Sequence, residues 1–158
     1  MTRTPAEIIN AFKESGYRHM QDIPGNRVFY TDSTSSTLVW VEGRVVIEYY
    51  VMHPNVDVPL HWHPFENQMI FLNGQLTGFR KYPEMEKVLQ KEFTTDDCHY
   101  IGTILPINHL HGFKTGPLGA TLYNIQIWPQ DVPNPLSASI EYLGPGMGPI
   151  HETMRFIK

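Results

Sequence analysis

Apolar and polar residues alternate in short runs along most of this chain, and glycine, proline or asparagine interrupts the runs every few residues. Period-two alternation sends successive side chains to opposite faces, so the pattern predicts strands. Residues 28–30, 37–41 and 45–52 are rich in β-branched and aromatic side chains, and Glu42-Gly43 marks a hairpin turn between the second and third. A loop over 54–59 leads into a strand through His61 to His63. Residues 69–72 continue as a strand, Asn73-Gly74 is a strong tight-turn signal, and 75–80 runs back. Residues 86–93 predict a further strand, with a helical turn over 85–89 as the alternative, and 94–97 a turn. Residues 99–105, 109–113 and 118–128 complete the pattern. The N-terminus alone reads as helix. Thr4 can cap it, Pro5 suits its first position, Glu7 closes a capping box, Ile8, Ile9, Ala11 and Phe12 form an apolar face, and Gly16 stops it.

Many short strands at this spacing predict an all-β fold, a sandwich or a barrel. The thirteen prolines and twelve glycines are spread as turn punctuation and mark no linker. The expected organisation is one domain over 1–158: a helical segment at 1–25, a barrel at 26–128, and a proline- and glycine-rich tail at 129–158 that wraps the barrel or a partner subunit. At 158 residues and 41% hydrophobic content, such a domain can bury a real core.

Charge changes the picture only by exclusion. The net charge is -4, no basic stripe suggests nucleic acid, and no polybasic cluster suggests an anionic membrane. No apolar run approaches membrane-spanning length, and the first residues, Met-Thr-Arg-Thr-Pro-Ala-Glu, lack an apolar signal core. Cys98 is the only cysteine, which rules out an intrachain disulfide and reads as a buried small hydrophobe. These features together predict a cytoplasmic protein.

The candidate chemistry lies in the histidines. There are eight, and five fall between His61 and His111. His61-Trp62-His63 would point both imidazoles to one face of a strand, and a second pair follows in Pro106-Ile107-Asn108-His109-Leu110-His111. Neutral imidazole is the commonest protein ligand for a transition metal, so three or four of these side chains could converge on one ion. Hydrogen-bonded polar residues in a wet barrel are the alternative. No P-loop, dinucleotide-binding glycine fingerprint, nucleophile elbow or CxxC is present.

These two segments resemble the motifs of the cupin family of small jelly-roll barrels. The first cupin motif runs H-x-H, three or four residues, Glu, six residues, Gly. Here it is His61-Trp62-His63, then Pro64-Phe65-Glu66, then Asn67 in the carboxylate position, then six residues to Gly74. With the longer spacer Gln68 takes that position, and Glu66 is a carboxylate one place early. The core of the second motif, P-x-G-x-x-H, appears as Pro106 to His111 with Asn108 for the glycine, and Tyr100 stands where a further glycine is expected. Asparagine tolerates positive φ better than most residues, so the turn survives. The resemblance spans roughly residues 45–128 and implies a cupin-type jelly-roll β-barrel with a short N-terminal helix and an irregular tail.

It also implies a site. His61, His63 and His111 match the metal ligands, and Gln68 is a candidate fourth, as in some cupins that act on sugar acids. Strict alternation instead sends Asn67 inward with the histidines, unless a bulge near Pro64 resets the parity. His109 could serve as general base, as a support for a ligand or as an extra ligand, or lie in a surface loop. Tyr123 is a second candidate for proton transfer, and Asn67, Tyr49, Phe71, Arg80 and Phe113 are expected to line a substrate pocket. An all-histidine site is more positive than one with Glu and favours anionic or bidentate oxygen ligands.

The leading expectation is a metal-dependent cupin enzyme acting on a small polar organic substrate. Iron and dioxygenase chemistry head the list. Zinc, nickel or manganese with isomerase, lyase or cyclase chemistry is the alternative. A non-catalytic binding cupin, or a metal-free sugar epimerase or dehydratase with Asp57, Glu48 or Glu66 as carboxylate partner, completes it. The expected partners are a small molecule and a second copy in a homodimer, with no nucleic acid and no membrane.

Overall fold

Two long strands organise the molecule. The computed structural model describes residues 16, 18–31, 33–95 and 99–137. Its strands are β1 (Arg27–Thr31), β2 (Ser35–Glu42), β3 (Val45–Met52), β4 (Asp57–His61), β5 (Glu66–Lys81), β6 (Leu89–Thr95), β7 (Ile101–Leu105) and β8 (Leu110–Ile127). β5 has 16 residues and β8 has 18, and they pair antiparallel from Glu66 opposite Ile127 to Lys81 opposite Leu110. One half of this ladder continues through β3, β2 and β1 on one side and β7 on the other. The other half carries β4 and β6. The result is a jelly-roll β-barrel in which β5 and β8 belong to both sheets.

Asn73-Gly74 does not reverse the chain. It lies inside β5, where the register against β8 shifts on both sides of it. Gly74 has φ of 102°, and a Cβ there would overlap the Gly119 carbonyl oxygen of β8. The local signal for positive φ was real, but pairing with β8 on either side turns it into a bulge that bends the strand. The same bend joins the two segments expected at 109–113 and 118–128 into β8. Two other boundaries move: β4 ends at His61, leaving His63 in the following loop, and a turn at Tyr82–Met85, closed by the Met85 N–H donating to the Tyr82 carbonyl, precedes β6.

Apolar residues collect in two clusters. Val39, Val41, Val46, Phe65 and Trp128 pack with Met20, Ile23 and Val28 at one end, and Tyr50, Met52, Val56, Phe71 and Leu122 pack at the other. Between them the inward positions turn polar: Glu48 on β3, Asn67 on β5, Asn124 and Gln126 on β8, all buried. The first part of the tail lies on the barrel itself. Val132 and Leu136 pack against the first cluster, and Arg44 donates to the carbonyls of Pro129 (2.6 Å) and Val132 (3.1 Å). Most of the helix expected from Thr4 to Gly16, Cys98, and the tail beyond residue 137 lie outside the described residues.

Candidate metal centre

His61 closes β4 and stands opposite His111 of β8 in the strand ladder. His63 follows two residues later, and its carbonyl accepts the Asn108 N–H at 2.8 Å. Asn108 has φ of 59°, so asparagine does take the positive-φ role that glycine has in the motif. The loop of the second motif thereby clasps the first. The metal-capable nitrogens of His61, His63 and His111 all lie within 4.8 Å of one another, and all three side chains are buried.

Their hydrogen bonds select the chemistry. His61 Nδ1 lies 2.7 Å from the Pro59 carbonyl, and His111 Nδ1 lies 2.7 Å from the His109 carbonyl. A carbonyl only accepts, so each ring carries its proton on Nδ1 and its lone pair on Nε2. His63 is 1% exposed, yet neither of its nitrogens has a hydrogen-bond partner. Its ring is instead held by stacking, on Phe65 at 4.8 Å and 11°, with Phe65 stacked on Trp128 at 4.9 Å and 12°. A buried polar group without a partner is costly, and a metal ion is one way to satisfy it.

Burial also keeps these rings neutral. It pushes the His61 pKa down to about 4, against a smaller opposing effect of the Pro59 hydrogen bond. Burial drives His63 and His111 well below the ordinary value too, with repulsion among the histidines adding to it. Three neutral imidazoles, two with fixed tautomers and one unpartnered, fit a divalent transition metal.

Beside them lies a polar chain. Asn67 Nδ2 donates to Asn124 Oδ1 at 2.8 Å, and Asn124 Nδ2 donates to Glu48 Oε2 at 2.7 Å. Asn67 Oδ1 has no hydrogen-bond donor. Gln126 stands opposite Asn67 in the ladder, and its Nε2 is likewise buried without a partner. Sequence reasoning missed Asn124 and Gln126, and it considered Glu48 only as a partner to a histidine base. Their signal was polar identity at the inward parity of otherwise apolar strands.

Gln68, expected among the ligands, faces away. The β5–β8 register is unbroken from Glu66 to Phe71, so no bulge resets the alternation, and Gln68 donates to Glu66 Oε1 at 3.0 Å. Tyr49 and Tyr123 also lie on the outward face, each between inward-facing neighbours, and pack on each other at 4.9 Å. The structure therefore does not bring Tyr123 to the histidines or Tyr49 to the pocket. His109 is buried but does not join the cluster. Its Nε2 accepts the Arg80 Nε–H at 3.0 Å, and its ring meets Tyr82 edge-on at 4.8 Å. Burial, then Arg80, lowers its pKa, with Glu84 opposing. Phe71, Arg80 and Phe113 do line a common cavity of about 260 Å³, together with His111, while Asn67 does not.

No protein-family profile and no curated relative matches this sequence. Solved structures do match. Oxalate decarboxylase of Lactobacillus farciminis in its formate complex superposes with a TM-score of 0.57 at 10% identity, over 70% of this chain and 34% of that one. CapF bound to 3-isopropenyl-tropolone gives 0.54 at 10%, over 68% and 32%. The coconut allergen cocosin gives 0.51 at 16%, over 64% and 28%. The fold is that of a cupin. The chain spans about a third of the length of these three structures. At these identities the likeness carries the fold of the cupin and not its reaction. The histidine cluster is built from the two segments whose sequences resemble cupin motifs.

Proposed function

We propose that this cupin is a metal-dependent enzyme acting on a small organic molecule, with His61, His63 and His111 as the metal ligands. The observation that carries the reading is His63, fully buried with both ring nitrogens unpartnered, beside two imidazoles whose lone pairs are fixed on Nε2. When bound, a divalent metal would supply Lewis acidity, and iron would add redox chemistry with dioxygen. Iron leads and oxygenase chemistry with it. Zinc, nickel or manganese with isomerase, lyase or cyclase chemistry is the second reading, supported by the same donor set.

The chain's own groups have narrower roles. The cavity reaches the cluster at His111 and gives a substrate access to it. Asn67 Oδ1 is a buried acceptor without a donor behind the cavity wall, and Asn67 acts through its hydrogen bond to Asn124. His109 is a positioning residue: its carbonyl orients His111, and its Nε2 holds Arg80, so its lone pair is not available as a base while that bond stands.

A homodimer belongs to the same reading, supported by the outward row Leu38, Tyr49, Tyr123 and Ile70. So do a cytoplasmic location and the lack of nucleic-acid or membrane partners, supported by the net charge of -4 without a basic cluster. Among the described residues no helix is long and apolar enough to cross a membrane.

Elemental analysis of anaerobically purified protein tests the reading. About one metal per chain is expected, lost in His61→Ala and His111→Ala. Unchanged metal content in both variants would reject the site. Oxygen consumption on a panel of organic acids then separates the two reaction classes.

A further inference from the structure

The cavity beside His111 has a definite chemistry. About 260 Å³ is near the lower end of small-molecule sites, so its occupant is small. Phe71, Leu76, Phe93, Ile101 and Leu122 form one end of it. That end offers a sugar or a small dianion one polar group, Lys91, whose Nζ lies 5.2 Å from the Phe93 ring centroid, against five apolar walls. At the other end Arg80 stands directly opposite His111 across the β5–β8 ladder. Lys91 lines the cavity next to Phe93, Gln90 and Thr103 are its other polar side chains, and no acidic residue lines it among the described residues.

Arg80 is held in place. Its Nε–H donates to His109, one Nη2 hydrogen donates to the Ile104 carbonyl at 3.1 Å, and its guanidinium lies 4.7 Å from the Tyr82 ring centroid. A guanidinium has five N–H donors, and the hydrogen bonds to His109 and Ile104 use only those on Nε and Nη2, so the Nη1 donors remain for a ligand. Among the described residues no carboxylate pairs with this arginine, which is fixed by a neutral histidine, a carbonyl and an aromatic face. It is suited to bind one from a ligand.

We propose that this site takes an amphiphilic monocarboxylate: its carboxylate on Arg80, the carbon next to the carboxylate beside the histidine cluster, and an apolar body toward Leu76 and Phe93. This deepens the metal-dependent reading, on which it rests for the reaction but not for the binding. The sequence led us to expect a small polar substrate, and the cavity wall changes that expectation.

Calorimetry on the full chain loaded with zinc tests it, with 3-phenylpropanoate, 3-phenylpropan-1-ol and oxalate as probes. The acid is expected to bind about tenfold or more tighter than the alcohol and than oxalate, the factor that ~1.4 kcal/mol gives. Arg80→Gln is expected to erase the preference for acid over alcohol. Tightest binding of oxalate, equal binding of acid and alcohol, or a preference that survives Arg80→Gln overturns the proposal. His61→Ala separates this from failure of the metal site. A preference kept in that variant supports the Arg80 anchor even without metal. One lost there but kept in Arg80→Gln assigns the carboxylate to the metal and rejects the anchor. Should Arg80→Gln not fold, Leu76→Trp fills the apolar end. A tenfold or greater loss of 3-phenylpropanoate binding is then expected, and unchanged affinity overturns the proposal.

Discussion

Asn67 donates its side-chain N–H to Asn124 Oδ1 at 2.8 Å, inside the barrel and between its two apolar clusters. The direction of that bond is set one residue further on. Glu48 Oε2 accepts the Asn124 Nδ2–H, which leaves Asn124 Oδ1 turned to Asn67. Asn67→Asp would set a second acceptor against Asn124 Oδ1 and is expected to destabilise the fold. Glu48→Gln in the same chain lets the whole relay reverse, so the double variant should recover about 1–3 kcal/mol of coupling in a urea double-mutant cycle. Strictly additive effects would show that Glu48 does not orient Asn67.

His63 should set stability against function. Its two nitrogens are buried and unsatisfied in the metal-free chain, and its ring is stacked on Phe65. His63→Leu removes the unsatisfied group. It is expected to abolish metal binding while leaving the metal-free protein as stable as before, or more stable by about 1 kcal/mol. A clear loss of stability in urea unfolding would mean that something other than a metal satisfies His63.

The metal-free protein should weaken in mild acid. The His61 pKa in the folded state is about 4, below the ordinary 6.5, because burial disfavours the charged ring. The unfolded chain therefore binds more protons between those values. The stabilisation is complete above pH 6.5 and is lost as pH falls toward 4. His61 alone accounts for on the order of 3 kcal/mol, and His63 and His111 shift the same way. Unfolding free energies at pH 7, 6 and 5 should fall steadily, and a flat profile would contradict the burial of the cluster.

Gly74 should tolerate no side chain. Its φ of 102° and its approach to Gly119 leave no room for a Cβ, whereas Gly43, at φ of 59°, has nothing within 4 Å. Gly74→Ala is expected to destabilise by about 3 kcal/mol or more, and Gly43→Asn by less than about 1, since asparagine accepts the left-handed region. Thermal unfolding of the two variants makes the comparison.

Tyr123→Phe should leave metal content and affinity unchanged. The side chain packs on Tyr49 and Trp40 on the outward face, away from the histidines. Any drop in metal stoichiometry would place it nearer the site than its parity allows.

Much of the fold was legible because alternation and turn chemistry are local. The hairpin at Glu42-Gly43 and the strands on either side of it follow from nearest neighbours alone, while the positive φ of Asn108 was implied by the resemblance to the second motif. The convergence of the histidines was legible because motif spacing encodes a contact that a barrel makes. Gly74 was misread for the opposite reason. Its local preference fits a hairpin and a bulge equally, and only the partner strand distinguishes them. Gln68 failed as a ligand because an unbroken ladder keeps its parity fixed.

By itself, then, the sequence determined the all-β class, and its resemblance to cupin motifs implied the jelly roll and the three imidazoles that meet. Backbone propensity and the period of a strand act over a few residues and need no partner. Tertiary structure alone decided the rest: that Asn67 answers to Glu48 through Asn124, that Arg80 rests on His109, and that the cavity beside His111 is apolar. Each of these joins residues from different strands. Their hydrogen bonds and packing exist only once β3, β5 and β8 are side by side.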